Sequence, residues 1–147
     1  EWWGNQRLTL DEVKEKYLPR VLAAENVTPY VGLLNGQPFA YAQSYVACGS
    51  GNGWWDDVTD PGVRGIDQLI ADTAMLGKGW GTRLVQALVR QLFSDAAVTQ
   101  VQTDPAPDNL RAIRCYEKAG FRQTKHIMTP DGLAVHMVCN RDDVAST

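Results

Sequence analysis

The sequence predicts an α/β (α+β) protein with a mixed, mainly antiparallel sheet and helices on both faces. Two hairpin dipeptides, Asn35-Gly36 and Asp131-Gly132, each lie between short apolar runs near opposite ends of the chain. Between these hairpins, two strand-like runs flank an amphipathic helix, and such a strand–helix–strand order needs a parallel or crossover pairing. The 147 residues suffice for one buried core and carry no internal repeat or linker, so we expect a single domain over residues 1–147.

The elements are expected in the order helix, hairpin, strand, helix, strand, helix, hairpin. Thr9 and Glu12 form a capping-box pattern before a helix over residues 10–25, which Pro19 should kink or split. A loop over residues 49–65 is long enough to be functional or disordered. The other expected elements are strands over 30–34, 38–48, 66–71, 98–103, 121–129 and 133–140, helices over 82–93 and from Asp108 or Asn109 to Gly120, and a frayed tail over 141–147.

Composition indicates an ordinary globular protein. The chain is 44% hydrophobic and 21% charged with a net charge of −3, and it has no basic cluster, so we expect no nucleic-acid partner. Its three cysteines are widely spaced without a C-x-x-C pair, which predicts neither a disulfide framework nor a metal site. No apolar run reaches membrane-spanning length and no signal-peptide pattern begins the chain, so we expect a cytoplasmic protein without a membrane partner.

The strongest local motif is a run of alternating glycines, Gly77, Gly79 and Gly81, between a predicted strand and a predicted helix. Such a loop turns several backbone N–H groups inward, and the helix adds its positive end, so the pattern favours phosphate binding. A tight turn without a ligand is the alternative. The run is not a P-loop, because no G-K-S/T closes it, and its spacing is not that of a dinucleotide fingerprint.

A second motif begins at Asn109 and continues through Ala112, Tyr116, Gly120 and Phe121, in the pattern N-x-x-A-x-x-x-Y-x-x-x-G-F. With the glycine run upstream, the chain resembles the GNAT superfamily of N-acetyltransferases. The resemblance implies a GNAT-like fold and acetyl-CoA as cosubstrate, with Tyr116 protonating the departing thiolate. The coenzyme-binding residues that it implies are Leu69, Ile70, Ala71, Gly77, Lys78, Gly79, Trp80, Gly81, Thr82 and Asn109. Asn109 as a simple helix cap and Tyr116 as a simple packed aromatic are the alternatives, and Leu76 replaces the Arg or Gln usual in the family.

A narrower resemblance covers nearly the whole chain. The segments 1–4, 43–45, 53–55, 59–68 and 102–105 are similar to aminoglycoside 6′-N-acetyltransferases. The resemblance implies a polycationic aminoglycoside acceptor, which carboxylates and aromatic ring faces suit. The acceptor-site residues that it implies are Glu25, Trp54, Trp55, Asp67, Asp104 and Asp131, with Asp67 as the base.

Each acceptor-site assignment has an alternative. Asp67 could hold substrate without transferring a proton, Asp104 and Asp131 could serve a strand end and a turn, and the tryptophans could pack under the loop. Asn52 stands where close relatives carry Asp. Relatives begin with a strand and a helix before the Trp2-Trp3 segment, and these elements are missing from the sequence, so we expect a monomer, or a homodimer that covers the gap.

The predicted reaction is direct attack of the 6′-amine on the thioester in a ternary complex. The coenzyme would enter a V-shaped opening between the strands over 66–71 and 98–103, and backbone N–H groups near residues 69–71 would polarise the carbonyl. No acyl-enzyme on Cys115 is expected, because no histidine is placed beside it. The alternatives are an acetyltransferase for another amine and a truncated protein that binds coenzyme A or an aminoglycoside without turnover.

Overall fold

The structure is a computed structural model and describes residues 9–21 and 26–145. Its helices and strands follow one another in the order that the sequence predicts, with one additional short helix at the end. In chain order they are α1 (Leu10–Val21), β1 (Val27–Leu34), β2 (Gln37–Val46), β3 (Val63–Ile70), a 3-10 turn (Thr73–Met75), α2 (Trp80–Phe93), β4 (Gln100–Thr103), α3 (Leu110–Lys118), β5 (Arg122–Thr129), β6 (Gly132–Asn140) and α4 (Arg141–Ala145).

The six strands form one sheet in the order β1-β2-β3-β4-β6-β5. Among the described residues, the β3–β4 pair alone is parallel and the other four pairs are antiparallel, so the predicted mixed, mainly antiparallel sheet is confirmed. The first hairpin turns at Asn35 and Gly36, whose φ angles are 51° and 78°. Both residues have the positive φ that a type I′ turn requires, which explains why Asn-Gly stands there.

Strands β3 and β4 pair over a short stretch only. Their register joins Val63 to Gln100 and Gly65 to Gln102, while β3 continues to Ile70 paired only with β2 on its other side. The two strands therefore separate beyond Gly65 and leave the predicted V-shaped opening in the middle of the sheet. The helices α2 and α3 follow the two splayed strands and begin beside this opening.

The main core lies between the sheet and the helices α2 and α3. Ile66 of β3, Val85 of α2 and Met137 of β6 are fully buried there. A smaller cluster of Ala47, Trp55 and Val63 lies under the loop over residues 47–62. The loop is thereby attached to the sheet by apolar packing, which positions its aromatic side chains beside the opening.

Two local expectations about α1 have different outcomes. The capping box is confirmed, because Thr9 N donates to Glu12 Oε2 at 2.6 Å and Glu12 N donates to Thr9 Oγ1 at 3.3 Å. Pro19 does not split α1, which continues to Val21. Pro19 has no N–H, so it cannot donate to the backbone carbonyl one turn upstream. Because α1 ends only two residues after Pro19, little regular structure is lost. Residues 22–25 lie outside the described part of the chain.

The C-terminal part differs from expectation in two ways. Thr129 pairs with Gly132, so the β5–β6 loop consists of Pro130 and Asp131. Gly132 has a positive φ of 115°, whereas Asp131 does not have a positive φ. The turn is therefore not type I′ at Asp131-Gly132. The expected frayed tail is wrong over Arg141–Ala145, which form α4. The Arg141 guanidinium donates to the carbonyls of Phe93, Asp95 and Val98 at 2.6–3.0 Å and holds that helix against the fold.

Candidate active site

The opening between β3 and β4 is the floor of a large cleft of about 1900 Å³. Its walls come from the glycine segment before α2, the free half of β3, the start of α3 and the loop over residues 47–62. Most of the site residues predicted from sequence line this one cleft. Glu25 lies outside the described residues, and the chemistry below is built from the others.

The glycine segment forms a backbone cradle at one end of the cleft. Gly77 and Gly79 have φ angles of 73° and 82°, and Gly79 is the N-cap of α2 without a side-chain cap. The first N–H groups of α2 therefore need an acceptor from outside the helix. Gly77, Gly79, Gly81 and Thr82 line the cleft, so their backbone suits an anion such as a pyrophosphate.

Two predicted members of the cradle, Lys78 and Trp80, do not line the cleft. The Trp80 ring faces another groove, where it packs edge-on against Phe39 with ring centroids 6.2 Å apart. The Arg83 guanidinium lies over the same ring at 5.1 Å. Any contribution of Trp80 to coenzyme binding therefore comes from its backbone N–H.

The free half of β3 offers backbone N–H groups to the cleft. Ala47 N donates to Val63 O and Ala71 N donates to Phe39 O, which fixes the hydrogen-bonding phase between β2 and β3. Because hydrogen-bonded and non-bonded pairs alternate, the N–H groups of Leu69 and Ala71 point to β2, whereas that of Ile70 points into the opening. Of the residues 69–71 predicted to polarise a carbonyl, Ile70 is the one with its N–H directed there.

Asn109 and Tyr116 are brought to the cleft by α3. Asn109 is the N-cap of α3, and its Oδ1 accepts from Ala112 N at 3.2 Å, so it caps the helix and lines the cleft at once. Tyr116 is 5% exposed and lines the cleft from α3. Burial, with a smaller contribution from Asp67, raises the pKa of Tyr116 above its usual value near 10. The phenol therefore stays protonated at physiological pH.

Three carboxylates line the cleft: Asp67 of β3, Asp104 directly after β4 and Asp131 of the β5–β6 loop. Asp67 Oδ2 accepts from Gln43 Nε2 at 2.7 Å. Burial raises the pKa of Asp104 to about 7, with further contributions from the negative charges of Asp67 and Asp131. An arriving cation would relieve the mutual repulsion of this acidic group.

The aromatic wall beside the acids is built from Trp54, Trp55 and Tyr45, all of which line the cleft. Trp55 is 7% exposed, and its Nε1 donates to Tyr45 Oη at 3.0 Å. The Trp54 and Trp55 ring centroids are 6.4 Å apart. Trp55 is therefore mostly enclosed, and the less buried Trp54 presents more of its ring to a ligand.

Tyr45, Gln43 and Thr103 lie in the segments 43–45 and 102–105 that carry the resemblance, but they had no predicted role, and the structure brings all three into the site. The available signal was alternation on β2, because Gln43 lies directly across from Asp67 and Tyr45 across from Gly65. Side chains two residues apart on a strand share one face, so a base on β3 implies functional neighbours at these positions.

Cys115 also lines the cleft, and its sulfur accepts from Gln68 Nε2 and Thr82 Oγ1 at 3.6 and 3.7 Å. Burial raises the pKa of the Cys115 thiol, which makes it a poor nucleophile. His136 does not line the cleft: its Nε2 hydrogen-bonds to Gln102 Oε1, and its ring packs against Trp55 at a tilt of 51°. Within the described ranges, no group of three or more His, Cys, Asp or Glu side chains is placed to hold a metal ion.

Fold and site together define a GNAT acetyltransferase. The model of the acetyltransferase (GNAT) domain matches residues 1–129, so the chain belongs to this family. Over 143 residues it is 64% identical to aminoglycoside N(6′)-acetyltransferase type 1 of Klebsiella pneumoniae, covering 96% of this chain and 71% of that protein. Over 88 residues it is 64% identical to a kanamycin resistance protein of Rhizobium radiobacter, covering 60% and 82% of the two chains.

Solved structures agree with this assignment. Aminoglycoside acetyltransferase AAC(6′)-Ib in complex with coenzyme A and kanamycin is 62% identical, with a TM-score of 0.93 over 99% of this chain and 84% of that one. The same enzyme with paromomycin and acetyl-CoA is 63% identical, with a TM-score of 0.94 over 99% and 82%. A spermidine N-acetyltransferase from Vibrio cholerae shares the fold at 14% identity. In the described part of the chain, no helix is long and apolar enough to cross a membrane.

Proposed function

We propose that this chain transfers the acetyl group of acetyl-CoA to the 6′-amine of an aminoglycoside, and so confers resistance to that class of antibiotic. The observation that carries the proposal is that a backbone anion site and a group of three carboxylates line the same cleft. Gly77 and Gly79 line one end, while Asp67, Asp104 and Asp131 line the other. Relatives at 64% identity over almost the whole chain are aminoglycoside N(6′)-acetyltransferases.

The cleft fits coenzyme A on its own geometry. The positive φ angles of Gly77 and Gly79 and the uncapped start of α2 suit the pyrophosphate. The splayed half of β3 leaves the Ile70 N–H free of β2, where it can bond the thioester end of the ligand. The coenzyme supplies an activated acetyl group when bound, and Ile70 N–H would stabilise negative charge on the acetyl oxygen during transfer.

The acceptor side holds and deprotonates the amine. Asp67, Asp104 and Asp131 attract the polycationic drug, and Asp67 is the proposed base, directly or through water. Tyr116 is the proposed acid for the departing thiolate, because it lines the cleft, is buried and has a raised pKa that keeps it protonated. Direct attack without an acyl-enzyme agrees with the raised pKa of Cys115. The need for acetyl-CoA favours the cytoplasm as the site of action.

A panel of acceptor amines tests the substrate class. With acetyl-CoA present, coenzyme A release should be fastest with kanamycin and much slower with spermidine and with a peptide bearing a free N-terminus, because only the aminoglycoside matches three carboxylates at once. An equal or higher kcat/KM for spermidine would contradict the proposal and make the chain an acetyltransferase for another amine. Binding of kanamycin without coenzyme release would contradict it in favour of a binding protein.

A further inference from the structure

Strand β2 presents a row of hydrogen-bonded polar side chains to Asp67. Tyr41 Oη donates to Gln43 Oε1 at 3.0 Å, and Gln43 Nε2 donates to Asp67 Oδ2 at 2.7 Å. Gln43 is directly opposite Asp67 in the β2–β3 register, and Tyr41 is on the same face two residues away. Gln43 is 7% exposed, so its amide is held in a largely water-free position.

The direction of these bonds fixes the orientation of the amide. The Gln43 amide has one acceptor end and one donor end. An ionised Asp67 can only accept, whereas the Tyr41 hydroxyl can donate to the amide oxygen that remains. The amide NH₂ group must then face Asp67. A carboxylate that accepts an N–H bond is favoured in its ionised form, which is the form that a base or an ammonium ligand requires.

We propose that Gln43 is a positioning residue for Asp67 and that Tyr41 acts through Gln43. The Tyr41 hydroxyl holds the oxygen end of the Gln43 amide by donating to it, and the NH₂ end holds the Asp67 carboxylate ionised and turned toward β2. One part of this inference rests on the proposed function, namely that Asp67 interacts with the acceptor amine. The hydrogen-bonded row itself is a property of the free protein.

An NMR titration of the Asp67 carboxyl carbon tests the row without any turnover. Its signal is assigned by its loss in Asp67→Asn. In Gln43→Met, which keeps the length of the side chain but not its N–H, the titration midpoint of Asp67 should rise by about one pH unit or more. Tyr41→Phe should raise it by less, because the amide remains but can rotate. Midpoints unchanged in both variants would overturn the proposal.

Matched variants control for general effects. Gln37→Met makes the same substitution at the exposed start of β2, and Tyr30→Phe removes a hydroxyl from β1, outside this row. Neither should move the Asp67 midpoint. A shift in the controls as large as in Gln43→Met would overturn the proposal, since it would trace the change to a general effect on the sheet.

Steady-state kinetics provide the second readout. Gln43→Met should lower kcat/KM for kanamycin about tenfold and leave KM for acetyl-CoA unchanged. In an Asp67→Asn background it should have no further effect, because Gln43 acts through Asp67. A full effect in that background would overturn the proposal. If the unmodified chain released no coenzyme A, the proposed function would fail, and the NMR titration would still decide the role of Gln43.

Discussion

The Nε1 of Trp55 donates a hydrogen bond to the Oη of Tyr45 at 3.0 Å, which ties the loop over residues 47–62 to β2. Trp55 holds a φ of 57°, an uncommon conformation for a bulky residue. Such a backbone costs about 1–3 kcal/mol and persists only where its surroundings enforce it. Packing against His136, at a centroid distance of 5.6 Å, and the bond to Tyr45 provide that enforcement beside the acidic group.

Replacing Trp55 by Phe should therefore weaken both the fold and the acceptor site. The change removes the N–H that satisfies Tyr45 and leaves space in a small cluster, so we expect a loss of about 1–3 kcal/mol in the free energy of unfolding, measured in urea. KM for kanamycin should rise. Trp54→Phe is the matched control and should cost less stability, because Trp54 is less buried. Equal losses for the two would contradict the role given to the Trp55 bond.

Gly65→Ala should displace the Tyr45 ring. A Cβ at Gly65 would clash with the ring of Tyr45, far inside van der Waals contact. We expect a cost of about 1–3 kcal/mol in unfolding free energy and a higher KM for kanamycin. In a Tyr45→Ala background the same substitution should be much milder, because the obstructing ring is gone. A cost that persists there would show that Tyr45 is not the reason for the glycine.

The regular elements were predictable because local chemistry decides them. Asn35-Gly36 specifies its turn by the positive φ of both residues, and Thr9 with Glu12 specifies the start of α1. The GNAT resemblance placed Tyr116 and Asn109 on one helix beside the glycine loop, and the structure brings them to one cleft. These features depend on residues that are close in sequence or on a recognised motif.

Contacts between distant segments were not predictable in the same way. Arg141 stabilises α4 through the carbonyls of Phe93, Asp95 and Val98. The part of the tail that was predicted to be frayed is therefore ordered by partners elsewhere in the chain. The strained Trp55 and its bond to Tyr45 depend on how a long loop returns to the sheet. The direction of the N–H groups of residues 69–71 follows from the β2–β3 register, and that register cannot be predicted from the local sequence.

Asp104 should make stability depend on pH. Burial raises its pKa to about 7 in the folded protein, above the ordinary aspartate value of 3.8, so the folded chain binds this proton more tightly than the unfolded chain. The stabilisation from that proton is complete below about pH 4 and is lost as pH rises through 7. Asp104→Asn mimics the protonated form, so its stability relative to the unmodified chain should increase between pH 4 and 8. Urea unfolding at both pH values measures this, and a constant difference would contradict the assignment.

The same carboxyl should govern drug binding. An ammonium group favours ionised Asp104, so the affinity for kanamycin should fall as pH drops below about 7, as measured by calorimetry. Asp104→Asn should bind kanamycin more weakly at pH 8 and should depend less on pH, while KM for acetyl-CoA changes little. Equal changes in the affinities for both substrates would remove Asp104 from the acceptor site.

Tyr116→Phe tests the proposed acid. The variant keeps the buried ring and loses the hydroxyl, so kcat should fall about 10²-fold or more while coenzyme A still binds. Tyr30→Phe removes a hydroxyl that bonds to Ser44 at 3.3 Å away from the cleft, and it should keep its kcat. An unchanged kcat in Tyr116→Phe would leave Tyr116 as a packed aromatic only.

The most direct test of the central claim is the position of the acetyl group on kanamycin after incubation with acetyl-CoA. NMR of the purified product should show a single acetyl group on the 6′-nitrogen, with one coenzyme A released per acetyl group. A matched aminoglycoside with a hydroxyl in place of the 6′-amine should give no product. Acetylation at another nitrogen, or no product from kanamycin, would contradict the account.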